Sequence, residues 1–179
     1  MDHTATQRTF RLTLGSLNQE ELTSALRHAG VQLNAHARTL LDQIDVQDGA
    51  GQSLTLTEVS VADLGLSEGG SLSAVFAAAE VRGLGPCPAA TAPYLRLAWS
   101  DQRPSSDAEL SAGRAPDGSV TVASPPPSAD DEDPKGFYLR VLEGVSWLRG
   151  YRCDDEHRWA ATDRFVFCQA KTVPAQRVM

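Results

Sequence analysis

Hydrophobic and polar residues along this chain change period several times, and each change marks an element. Residues 9–14 alternate apolar and polar, with Phe10, Leu12 and Leu14 on one side, as a half-buried strand does. The period then lengthens. Leu22, Ala25, Leu26 and Ala29 form a helical stripe. Asn18 and Glu21 are spaced as a capping box, Leu17 and Leu22 as a hydrophobic staple, and Gly30 is a stop. Ala37, Leu40, Leu41 and Ile44 repeat the helical spacing behind Asn34, a second cap. Residues 54–61 are rich in Thr and Val and read as a strand. Leu72, Val75, Phe76 and Ala79 give a third helix, capped by Ser71 and closed by Gly83, Gly85, Pro86 and Pro88.

Tyr94 to Trp99 alternates again and predicts a strand. From Pro104 to Lys135 the pattern fails. This Pro-, Ser- and Asp-rich stretch, most marked over 104–134, has little apolar content beyond Leu110 and Val120–Val122, too little to offset the entropy of ordering it. A flexible excursion is expected, with at most one short strand near Val120. A β-meander then closes the chain: strands over 137–142, 145–151 and 164–169, with Glu143-Gly144 as a hairpin turn. The prediction is one α+β domain over residues 8–173, with three helices on one face of a mainly antiparallel sheet. Residues 1–7 and the end of the chain from Pro174 are expected to be loose.

Composition narrows the classes of function. The chain has 179 residues, enough for one well-buried core. No apolar run approaches the roughly 18 residues of a membrane helix, and the N-terminus lacks the apolar stretch of a secretory signal, so the expected setting is the cytoplasm, without a membrane partner. Lys and Arg number 16 against 23 Asp and Glu, a net charge of −7. That balance disfavours nucleic acid, because phosphate backbones reward clustered cations. Three cysteines without CxxC pairs predict neither a disulfide framework nor a structural zinc site. The glycines before Ser71 fit neither GxxxxGK[ST] nor GxGxxG, and no GxSxG elbow is present. No cofactor is implied.

Two clusters remain as candidate chemistry. Trp147, Arg149 and Tyr151 share one face of a strand by alternation, and Arg152 and Trp159 lie nearby. Large aromatics beside arginines suit a binding face. The alternative is Asp154, Asp155, Glu156 and His157, together with Asp163, as the ligands of a metal-assisted hydrolase. Consecutive residues rarely converge on one ion, so a polar turn is the simpler reading. The leading expectation is therefore a non-catalytic binding module whose partner is a protein. The sequence leaves its oligomeric state open.

Two blocks carry a likeness. One runs from Val59 to Pro88 and on through YLRLAWSDQ; the other is FYLR, SWLRGY and HRWAATDRFVF. They resemble a family of small uncharacterised bacterial proteins with a Leu-Cys-Pro element, a Leu-Arg-Leu strand ending in Asp-Gln, a Trp-Leu strand and a closing Asp-Arg-Phe-Val-Phe strand. The matching positions include Leu64, Gly65, Cys87, Pro88, Arg96, Gln102, Trp147, Leu148, Trp159 and Asp163–Phe167. The family has a regular strand where this chain has Pro104–Lys135. The resemblance implies a shared fold unit and no reaction.

Overall fold

A computed structural model describes residues 7–106 and 115–170. The expectations for the two chain ends lie mostly outside these residues, as does part of the expected excursion, 107–114.

The chain is α+β. Among the described residues four α-helices pack against an eight-stranded mixed sheet. The strands are β1 (Arg8–Thr13), β2 (Gln32–Leu33), β3 (Ser53–Ser60), β4 (Leu84–Gly85), β5 (Val120–Val122), β6 (Gly136–Leu142), β7 (Val145–Tyr151) and β8 (Arg164–Gln169). The helices are α1 (Gln19–His28), α2 (Ala35–Gln43), α3 (Leu72–Val81) and α4 (Thr91–Ala98). The sheet runs β1-β3-β8-β5-β6-β7-β2, with β4 added at the end of β8. β5 runs parallel to β8 and β2 parallel to β7; every other pairing is antiparallel.

The three N-caps read from the sequence are present. Asn18 and Glu21 form the reciprocal capping box, and Asn34 and Ser71 cap α2 and α3 through backbone N–H groups three residues on. Glu143 and Gly144 both take positive φ, 51° and 78°, the backbone of a type I′ hairpin.

Two expectations are corrected. Tyr94–Trp99 is not a strand: most of it lies in α4. Its residues are buried almost all round, so alternation is no guide there. Pro93 sits in the first turn, where its missing N–H costs nothing, and the Trp99 amide donates to the Leu95 carbonyl at 2.8 Å. The helices do not share one face. In β8, Val166 and Cys168 point one way, into a core with Leu22, Leu26, Leu40, Leu41 and Leu95 from α1, α2 and α4. Phe165 and Phe167 point the other way, against Val75 and Ala79 of α3. The sheet is thus sandwiched. The short strand expected near Val120 is β5, which lies between β8 and β6 with all three residues buried. Three β-branched residues suffice because strands flank β5 on both edges.

Candidate functional site

The predicted aromatic face lies on β6 and β7, and the structure divides its members. Register pairs Tyr138 with Arg149 and Arg140 with Trp147, so these four share one side of the sheet. The Arg149 guanidinium lies over the Trp147 ring at 5.0 Å and over the Tyr138 ring at 5.9 Å. Its Nε donates to the Tyr138 hydroxyl at 2.7 Å. A cation fixed between two rings keeps an apolar plane and a charge together at one place. Trp147 and Arg149 are half-buried.

Tyr151 continues that face but turns inward. Its ring meets Trp159 edge-on at 5.4 Å, and burial pushes its phenol well above the ordinary value. Trp159 is only 4% exposed and belongs to the α3-side core, edge-on to Phe165 at 4.9 Å. Arg152 is exposed and paired with Glu132 at 2.9 Å. Of the five predicted residues, Trp147 and Arg149 make a joint surface feature, Arg152 stands apart in an exposed ion pair, Trp159 packs the interior, and Tyr151 lies half-buried against it.

The acidic turn does not converge. The Asp154 carboxylate accepts from the backbone N–H groups of Glu156 at 3.0 Å and His157 at 2.8 Å, the bonding of an Asx turn. Asp155 and Glu156 are exposed, and the His157 ring packs edge-on to Trp159 at 5.2 Å. The Asp163 carboxylate accepts from the Ala160 amide at 2.8 Å. Among the described residues, no three His, Cys, Asp or Glu side chains are grouped so as to hold a metal ion.

One feature escaped the sequence. A cleft of about 910 Å³ opens where β1, β3 and β8 meet the segments around Gln102 and Asp117. Arg8, Arg103 and Arg164 line it, and each already has an acidic partner: Asp101 at 2.7 Å, Asp117 at 3.0 Å and Glu58 at 2.6 Å. Hydrogen bonds from Ser106 and Arg103 hold the Asp117 carboxyl below its ordinary value. Behind the wall lies Arg96, 3% exposed. Its Nη1 donates to Gln102 Oε1 and its Nη2 to the Trp99 carbonyl, both at 2.6 Å. Burial lowers its pKa to about 10. Gln102 Nε2 in turn donates to the carbonyls of Gly118 and Leu139, at 3.1 and 2.9 Å. No short motif announces the cleft, because its lining comes from separate stretches of chain.

Comparison of the chain with protein-family models, with curated proteins and with solved structures gives no match. The likeness seen in the sequence therefore has no family model beside it. No helix among the described residues is long and apolar enough to cross a membrane.

Proposed function

We propose that this protein is a non-catalytic interaction module that binds a partner protein through the surface around Trp147 and Arg149. The observation that carries this reading is the stack of Arg149 over Trp147 and Tyr138, tied by the bond from Arg149 Nε to the Tyr138 hydroxyl. Trp and Arg recur at binding hot spots because they join large area to directional contacts. An arginine already held in place loses little side-chain entropy on association. The paired charges of the cleft and the open acidic turn lend no comparable support to a hydrolase.

The test uses a partner captured by the wild-type chain from lysate of its source cells. Affinity and melting temperature are measured on the same samples of wild type, Trp147→Ala and Arg149→Ala. Each substitution is expected to weaken binding by about 30-fold, the conversion of a hot-spot loss of roughly 2 kcal/mol. Trp147→Ala should cost less stability than the roughly 3–5 kcal/mol of a fully buried tryptophan. Unchanged affinity for Arg149→Ala in a folded chain places the contact elsewhere.

A further inference from the structure

The chain has three cysteines, and the structure treats them unequally. Cys153 is half-buried in the connection after β7. Cys87 and Cys168 are both buried, unbridged and members of one core cluster, on the sheet face that carries α1, α2 and α4. Two strands bring them together. Gly85 of β4 is the register partner of Cys168 in β8. Two residues further on, the Cys87 amide donates to the Ala123 carbonyl at 2.7 Å, and its Sγ reaches the Val166 carbonyl at 3.8 Å. Cys168 projects from β8 into the same core as Cys87, and the two side chains interact with each other, which sets the Cys87 thiol beside the Cys168 thiol. Pro86 and Pro88 stiffen the segment from both sides.

We propose that Cys87 and Cys168 form a peroxide-oxidisable pair that closes to an intrachain disulfide in the folded protein. Cys168 reacts first. It is 9% exposed against 1% for Cys87, and the interaction with the Cys87 thiol lowers its pKa. Burial, and then Cys168 itself, push the Cys87 thiol well up, so Cys87 keeps its proton. The Cys168 thiolate attacks one oxygen of hydrogen peroxide. The O–O bond breaks, a sulfenic acid forms, and the departing hydroxide takes a proton to become water. The Cys87 sulfur then attacks the Cys168 sulfur. The S–O bond breaks, the Cys87 proton goes to the leaving hydroxide, and a second water is released. Two thiols are oxidised and one peroxide is reduced to two waters.

The experiment uses the full reduced chain, titrated with hydrogen peroxide under native conditions, then unfolded, alkylated and mapped by mass spectrometry. Two of the three thiols should disappear, with a peptide pair joined through Cys87 and Cys168, Cys153 still alkylated, and full recovery with a thiol reductant. Cys153→Ser should behave as the wild type does. In Cys87→Ala, oxidation should stop at a Cys168 sulfenic acid that a 1,3-diketone traps. In Cys168→Ala, Cys87 should stay reduced. Near-ultraviolet circular dichroism reports whether each variant is folded; if either alanine variant is not, the wild-type and Cys153→Ser maps decide. Recovery of all three thiols, preferential loss of Cys153, or joining that occurs only when peroxide meets the unfolded chain overturns the proposal.

Discussion

Asn34 shows how much one side chain can hold. Its Oδ1 accepts from the Ala37 amide at 2.9 Å, capping α2, and from the Gly150 amide at 2.8 Å. Its Nδ2 donates to the Gly150 carbonyl at 3.0 Å. The side chain thus stands in for a strand partner on β7, just past the two-residue pairing with β2. Gly150 accepts this closeness because it has no Cβ: one added there would sit 2.7 Å from the backbone of His36. Asn34→Ala removes a cap and both partners of Gly150, and a loss of about 2–4 kcal/mol is expected in urea unfolding. Asn34→Asp keeps the acceptor and should lose clearly less. A second close approach is at Gly69, with φ of 78° and a would-be Cβ 2.0 Å from the Trp159 carbonyl oxygen. Gly69→Ala is expected to cost well over about 1 kcal/mol, read as a fall in the urea midpoint.

At the scale of elements, α4 and β5 repay comparison with the sequence. α4 was read as a strand and β5 only as a short strand without neighbours, and both lie inside. A helix or strand with water on one side prints a period on the sequence, and one covered on all sides does not. α1, α2 and α3, each with exposed positions, were legible together with their caps. α4 is joined to the middle of the sheet by Arg96 and Gln102, which connect the Trp99, Gly118 and Leu139 carbonyls. Gln102→Ala removes one acceptor from a buried guanidinium and one donor from each of two carbonyls. Truncating one partner of such a network costs more than replacing both by apolar groups of similar shape. Chemical denaturation of Gln102→Ala should therefore show a larger loss than the double variant Arg96→Met, Gln102→Leu. The reverse order would mean that the network is not shared between the two residues.

For the whole molecule, charge sets the response to pH. Arg8 above all, by hydrogen bonding, lowers the pKa of Asp101, as Ser106 and Arg103 do for Asp117. Groups of this sign contribute stability that is present above the unfolded value, about 3.9, and lost as pH falls through the folded one. His36 acts at milder pH. Burial first, then Arg152 and Arg149, lower its pKa. As pH falls below about 6.5, the unfolded chain takes up this proton before the folded one does, and stability drops until the folded value is passed. Melting temperatures measured from pH 8 to pH 3 at low salt should show a shallow loss below about 6.5 and a further one below about 3.9. His36→Gln should abolish the first and spare the second.

Residue order alone determined the class of fold, three of the four helices with their caps, the hairpin turn and strands β1, β3, β6, β7 and β8. These depend on local hydrogen bonding and on a period imprinted by one wet face. Residue order also put Trp147 and Arg149 on one face, since strand alternation needs no partner. Tertiary structure decided what depends on neighbours distant in the chain. It turned YLRLA into part of a helix and set Val120–Val122 between β8 and β6. It sent Trp159 to the core while leaving Trp147 half-exposed, and opened the acidic turn instead of gathering it. It also brought together Cys87 and Cys168, which no sequence spacing connects. Burial and long-range contact come from the packing of separate segments, and for an aromatic residue or a thiol that packing separates a structural role from a chemical one.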